Sequence, residues 1–346
     1  MLSSASYVCD PRPDYPLVIT AKRYWISELS SDDPSALTLV LAHGTGYHKE
    51  QWEPTIEYLY EYISNDASQT VKVKDVWSID APNHGDAAVL NEATLRWGYD
   101  IFDWAEYSRA IHIFLAGLGT GVDVDFSKRN LVGIGHSMGA VAHILCNTFY
   151  PKMPFKSFIL VEPMCFPQEP AGMTRDFGVF LTNSALKRRD IFPSREDALA
   201  WLKSRAGFKV WDERVLQAFV DHGMRDLPTA EYPDKKDGVT LKCTRAMEAA
   251  CYVQHTNTGR VRGYNYLPYL CSTYPVHFLY GAVDDYIPAA VKEHTLSYGT
   301  QGKHASVKQV PNAGHVVVQT HPCELASAIW ATLSSDPVPQ WEKCKL

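Results

Sequence analysis

Leu131-Val132-Gly133-Ile134-Gly135-His136-Ser137-Met138-Gly139 decides the fold of this chain. An apolar run (Leu131, Val132, Ile134) ends in Gly135-His136-Ser137-Met138-Gly139, and a segment with helical character follows over residues 140–146. Strand, then G-x-S-x-G, then helix is the order that a nucleophile elbow requires. The turn is so tight that the serine backbone is strained. A side chain at either flanking position would meet neighbouring backbone, which suits Gly135 and Gly139. Ser137 is then expected at the carboxyl end of a strand with its hydroxyl presented to a ligand.

The rest of the chain supplies the surroundings that such a turn needs. Residues 17–25 alternate loosely and read as a first strand. Leu37-Thr38-Leu39-Val40-Leu41-Ala42 is a nearly continuous apolar run, as expected of a strand buried on both faces, and it ends in His43-Gly44-Thr45-Gly46-Tyr47. A helix is predicted over residues 52–63, a strand over 71–79 and a helix over 100–118. The elbow strand comes next, and residues 157–161 form another buried strand that closes on Glu162-Pro163. The alternation stops at Cys165 and resumes with a strand over 276–280, followed by helix, strand and helix over 289–298, 306–310 and 324–333. This pattern predicts an α/β fold with a doubly wound, mostly parallel sheet. Residues 1–164 and 273–346 form its core, and 165–272 are inserted as a helical lid. Ligands of such sheets bind beyond the carboxyl ends of the strands.

Composition narrows the function. With 346 residues, 46% apolar and 21% charged, the chain can bury a large core. A net charge of −6 argues against a nucleic-acid partner. No apolar run approaches the roughly 18 residues of a membrane span, and residues 1–16 carry no secretory pattern. The eight cysteines lack metal-ligand spacing and read as reduced thiols. Neither a metal nor another cofactor is expected.

A serine hydroxyl needs a base to become a nucleophile, and the usual chain order on this fold is serine, acid, histidine. Of the thirteen histidines, His315 in Asn312-Ala313-Gly314-His315 follows the last strand, where a loop can carry it over the elbow. Two carboxylates could orient it. Asp284 lies after the penultimate strand, the commoner position, and spacing alone favours it. Glu162 closes an apolar strand, where a bare carboxylate would be costly. The oxyanion of a tetrahedral intermediate needs two backbone N–H donors, assigned to Met138 and Thr45. His43, Gly44, Tyr47 and His136 are expected to contact substrate. Lys187-Arg188-Arg189 reads as a solvated face. Trp201, Trp211 and Phe219 read as lid core.

These residues resemble the α/β-hydrolase superfamily over nearly the whole chain. More narrowly, His43-Gly44-Thr45-Gly46, the elbow, Phe192-Pro193-Ser194-Arg195-Glu196, Arg225-Asp226-Leu227-Pro228-Thr229 and Val239-Thr240-Leu241-Lys242 resemble a fungal peroxisomal group of hydrolases. That group includes toxin-biosynthesis hydrolases and the mycophenolic-acid acyl-CoA hydrolase. The resemblance implies a serine hydrolase acting on acyl thioesters or esters. In the acyl-CoA hydrolase the acid follows the strand after the elbow, which maps onto Glu162, so the resemblance moves Glu162 ahead while Asp284 stays open. An acyltransferase or cyclase using the same acyl-enzyme, a lipase or carboxylesterase, and a catalytically dead binding protein are the competing readings. The terminal Cys344-Lys345-Leu346 has the small-basic-leucine form of a peroxisomal address, so an import receptor is the expected protein partner.

Overall fold

The computed structural model describes residues 1–31, 33–66, 71–167, 171–253 and 259–334, with 171–176 as backbone only. The strands in chain order are β1 (Ser3–Cys9), β2 (Ile19–Trp25), β3 (Leu37–Ala42), β4 (Val73–Ile79), β5 (Asn130–His136), β6 (Phe155–Val161), β7 (Ile191–Phe192), β8 (Met224–Asp226), β9 (Val239–Leu241), β10 (Val276–Gly281) and β11 (Ser306–Val310). The helices used below are α1 (Glu53–Asn65), α2 (Trp104–Leu115), α3 (Met138–Cys146), α4 (Ala171–Lys187), α5 (Arg195–Lys203), α6 (Glu213–Gly223), α7 (Arg245–Ala250), α8 (Gly259–Thr273), α9 (Ala289–His294) and α10 (Pro322–Leu333).

Among the described residues eight strands form one sheet in the order β1-β2-β4-β3-β5-β6-β10-β11. The pairings from β4 through β11 are parallel, and β1 and β2 are antiparallel additions at one edge. The apolar runs are explained by what lies on the two faces. Val40, Phe158 and Leu160 point into a core shared with α2, α3 and α8. Their chain neighbours Leu39, Leu41, Ile159 and Val161 point into a second core, shared with α1 and α10. Successive side chains of a strand alternate between faces, so a strand covered on both sides must be apolar throughout. Each fully buried Val, Leu, Ile or Phe in these layers contributes about 1.5–3 kcal/mol.

Two of the differences from the sequence expectation concern the sheet and its cover. The first strand is Ser3–Cys9, ahead of the expected one, and it pairs with β2 from Ser3↔Trp25 to Cys9↔Ile19. It is an edge strand that alternates half-buried with exposed positions, so small and polar residues suffice and its apolar pattern is faint. The second difference is α8, which falls inside the expected lid. Leu267 and Leu270 join the main core, and a Cβ at Gly263 would lie 3.0 Å from Val141 Cγ1 of α3. Helix α8 therefore belongs to the layer that covers the sheet.

The rest of the insertion has its own small core of Phe192, Leu202, Trp211, Val215, Phe219, Met224 and Leu241, built on the sheet β7-β9-β8. Local capping sets its helices. Ser194 accepts from Asp197 N–H at the start of α5, Asp212 from Arg214 and Val215 N–H at the start of α6, and Thr244 from Met247 N–H at the start of α7. Six of the described cysteines are buried free thiols.

Candidate active site

Strand β5 ends at His136 and α3 begins at Met138, which leaves Ser137 alone in the turn with φ 55° and ψ −114°. A non-glycine residue held there costs on the order of 1–3 kcal/mol, and the surrounding hydrogen bonds must hold it in place. Ser137 N–H donates to Val161 O at 3.0 Å, and Ser137 O accepts from Ala140 N–H at 3.2 Å. The glycines are required by contact. A Cβ at Gly135 would lie 2.4 Å from Gly139 O, and one at Gly139 would lie 2.3 Å from Ala42 O. Backbone atoms cannot step aside as a side chain can. Gly139→Ala is therefore expected to destabilise the protein by about 1–3 kcal/mol or more, measured by urea unfolding. Gly207→Ala, at a position with open space around it, should leave the midpoint nearly unchanged.

The structure brings three of the four expected catalytic side chains together. His315 Nε2 lies 3.0 Å from Ser137 Oγ, and His315 Nδ1 lies 3.2 Å from Glu162 Oε2. His315 sits on the loop after β11, and its backbone is pinned from both sides. Its N–H donates to Asp285 at 2.9 and 3.1 Å, and its carbonyl accepts from His136 Nε2 at 2.8 Å. The Tyr286 ring stacks on the imidazole at 5.2 Å.

Glu162 is fully buried at the end of β6 and also has positive φ, 45°. Its Oε1 accepts from Gly281 N–H at 2.6 Å, and Lys292 Nζ stands 3.6 Å away. These contacts offset the cost of burying a carboxylate. Asp284, favoured by spacing, is elsewhere. Its Oδ1 pairs with Lys292 Nζ at 2.9 Å, its side chain is 44% exposed, and it makes no contact with His315 among the described residues. The physical reason is the direction of the chain after β10. Residues 282–286 run along the surface, and it is the backbone-binding Asp285 that meets the histidine loop.

The two oxyanion candidates adjoin. Thr45 Oγ1 donates to Met138 Sδ at 3.4 Å. Neighbouring amides are occupied, since Gly46 N–H donates to His84 Nε2 at 2.9 Å and Tyr47 N–H to Gly44 O at 3.3 Å. The Thr45 and Met138 amides engage no acceptor among the described residues. The loop is held from below by a pair of neutral imidazoles. His43 Nε2 accepts from Ala81 N–H at 3.0 Å while its Nδ1–H donates to Gly44 O at 2.8 Å. Burial pushes its pKa down to about 4, and that of His84 well below the usual value.

His43, Gly44 and His136, expected to contact substrate, are buried and do not line the cavity that holds Ser137 and His315. They are packed behind the site, with His136 Nδ1 only 2.9 Å from where a Gly44 Cβ would be. His136 is held neutral by burial and the nearby His315, and its ring supports the His315 carbonyl. Thr45 and Tyr47, by contrast, line a cavity of about 250 Å³ with Ser137 and His315.

The insertion adds Phe177, Phe180 and Leu181 of α4 and Tyr252 to the lining of that cavity. It also brings in a residue that sequence reasoning assigned to solvent. Lys187 and Arg189 are exposed, but Arg188 turns inward and grips Glu248 with both terminal nitrogens, at 2.8 and 3.0 Å. Burial raises the Glu248 pKa against the pull of Arg188. A basic triplet gives no sign that its middle member faces a cavity; Glu248, in the apolar stretch before Cys251, was the available clue. Among the described residues no cluster of three or more His, Cys, Asp or Glu could hold a metal ion, and no helix is long and apolar enough to cross a membrane. Cys344-Lys345-Leu346 lies outside the described residues.

Comparison with known proteins agrees with this architecture. The model of the alpha/beta hydrolase family matches residues 39–328. A type I acyl-CoA thioesterase of Penicillium brevicompactum is 29% identical over 221 residues, covering 63% of this chain and 47% of the relative. The peroxisomal membrane protein LPX1 of Saccharomyces cerevisiae is 29% identical over 229 residues, covering 63% and 56%. The chain thus spans about half the length of the curated relatives it matches. Among solved structures, the peroxisomal alpha-beta-hydrolase Lpx1 of Saccharomyces cerevisiae superposes with a TM-score of 0.68 at 20% identity, covering 98% of this chain and 91% of that one. The thioesterase domain from the curacin biosynthetic pathway gives a TM-score of 0.64 at 16% identity, covering 96% of this chain and 99% of that one. With a parallel sheet, a strained serine turn and a family match over most of its length, the chain belongs to the alpha/beta hydrolase family.

Proposed function

We propose that the protein is a serine hydrolase that cleaves an acyl thioester or ester through an acyl-enzyme on Ser137. The observation that carries this reading is the hydrogen-bonded series Ser137–His315–Glu162 at a cavity lined by Ser137 and His315. His315 Nε2 takes the proton of Ser137 Oγ as the oxygen attacks the substrate carbonyl carbon. Glu162 holds the imidazole in the tautomer with Nδ1 protonated and stabilises the imidazolium that forms. The negative oxygen of the tetrahedral intermediate is met by the amides of Thr45 and Met138. Collapse breaks the bond to the leaving thiol or alcohol, which departs with the proton from His315. Water then repeats the sequence, giving the free acid and regenerating the serine.

The cavity is smaller than the roughly 300–1,000 Å³ usual for whole ligands, which suits an acyl group inside and a bulky leaving group outside. Relatives named as acyl-CoA thioesterases support the thioester as the bond cleaved. The test is fluorophosphonate labelling of the purified protein, followed by a panel of acyl-CoAs and p-nitrophenyl esters. Labelling with release of thiol or nitrophenol is expected. A protein that neither labels nor turns over any member of the panel would not be a serine hydrolase.

The proposed compartment is the peroxisome, reached through an import receptor that reads Cys344-Lys345-Leu346. The names of the yeast relatives support it. Deleting the three residues should change a tagged protein from punctate to diffuse by fluorescence microscopy, and equal distributions would reduce the tripeptide to coincidence.

A further inference from the structure

One wall of the cavity is polar in a way that a plain alkyl chain would not use. Arg188 and Glu248 satisfy each other through two parallel hydrogen bonds, so the pair is neutral as a unit and calls for no charged ligand. Beside it stand the phenols of Tyr47 and Tyr252, and neither hydroxyl has a hydrogen-bond partner among the described residues. Burial raises both phenol pKa values, so each keeps its proton and remains a donor. The Tyr47 ring is fixed by an edge contact with Trp211 at 5.7 Å and a stack with His136 at 6.3 Å. Both tyrosines are half-buried, and their hydroxyls are left for an oxygen atom that a ligand brings into the cavity. Phe177, Phe180 and Leu181 of α4 add apolar side chains to the same cavity.

The polar wall is close to the reacting centre. Glu248 Oε1 packs on Gly46, where a Cβ would lie 3.1 Å from it, and Gly46 follows the oxyanion residue Thr45. Arg188 also acts on Tyr286, the residue stacked on His315.

We propose that Tyr47, Tyr252 and the Arg188–Glu248 pair form a subsite for neutral oxygen atoms, and that the substrate is an oxygenated acyl thioester or ester, such as a hydroxyacyl chain. This rests on the hydrolase reading and specifies its substrate. The oxygen belongs within a few carbons of the reacting carbonyl, and the apolar remainder of the chain lies against Phe177 and Leu181.

The test compares hexanoyl-CoA with its 3-hydroxy and 5-hydroxy analogues, using the wild type and the Tyr47→Phe/Tyr252→Phe double variant. With two hydrogen bonds at stake, the better hydroxyacyl substrate should exceed hexanoyl in kcat/KM by about tenfold in the wild type, and the ratio should fall toward one in the variant. A wild-type ratio near one for both analogues, or a preference that survives in the variant, overturns the subsite. Calorimetry with the matching non-hydrolysable thioethers and Ser137→Ala separates this outcome from failure of the hydrolase reading. Stronger binding of a hydroxyacyl thioether supports the subsite even if no substrate is turned over, and equal binding overturns it even if all are.

Discussion

Ser137→Ala is expected to lower turnover of any acyl substrate by on the order of 10⁶ and to abolish labelling by a fluorophosphonate. The size of the effect follows from the geometry of the elbow. Ser137 Oγ is the oxygen within hydrogen-bond reach of His315 Nε2, and the strained φ of 55° aims it at the cavity. Alanine removes the proposed nucleophile and leaves the backbone contacts intact. The amide donating to Val161 O and the carbonyl accepting from Ala140 N–H are unchanged by the substitution. The variant should therefore melt within a degree or two of the wild type and still bind an acyl thioether. Labelling that persists in purified Ser137→Ala would place the nucleophile elsewhere and end the acyl-enzyme reading.

The second large effect is expected at Glu162. In Glu162→Gln the amide oxygen can still accept from Gly281 N–H, so the shape of the site is preserved. The other terminus becomes an NH₂ facing His315 Nδ1, which favours the tautomer with Nε2 protonated. That nitrogen can then no longer accept the serine proton. Loss of the carboxylate in such a triad costs on the order of 10⁴ in kcat. Asp284→Asn is expected to cost less than tenfold, because Asp284 meets the site only through Lys292, which keeps its bond to Gly281 O at 3.0 Å. Steady-state kinetics of both variants, with thermal melting measured alongside, decides the matter. A larger loss at Asp284 than at Glu162 would transfer the role of acid to Asp284. Lowered melting of Glu162→Gln with unaltered kcat per folded molecule would make the glutamate a structural anchor.

The sheet was legible because strands covered on both faces leave a strong imprint. The runs at residues 37–42, 157–161 and 276–280 lie in β3, β6 and β10, each within two residues of its observed ends. The edge strand Ser3–Cys9 was not legible, since half of its positions meet solvent and place little demand on residue type. The turn at Ser137 was legible for a comparable reason. Contacts closer than 2.5 Å from any Cβ to backbone oxygen restrict Gly135 and Gly139 to one residue type, and such restrictions survive in the sequence as a motif.

Side-chain partnership left a weaker trace. Spacing favoured Asp284, although Glu162 also follows the end of a neighbouring strand. The register that sets β6 beside β10, with Val161 opposite Leu279, lets Gly281 N–H and Lys292 gather Glu162 beneath His315. Arg188 gives the same lesson, since a residue one place beyond the end of α4 can face water or the cavity, and Glu248 of α7 decides which. His43, Gly44 and His136 read as substrate contacts because they flank the elbow and its neighbouring loop in sequence, yet packing turned them behind the site. By itself, then, the sequence determined the α/β sheet and the serine turn, where local sterics and burial restrict the residue types allowed. Only the tertiary structure decided which carboxylate meets His315 and which side chains line the cavity, because those depend on distances between segments more than a hundred residues apart that no local pattern encodes.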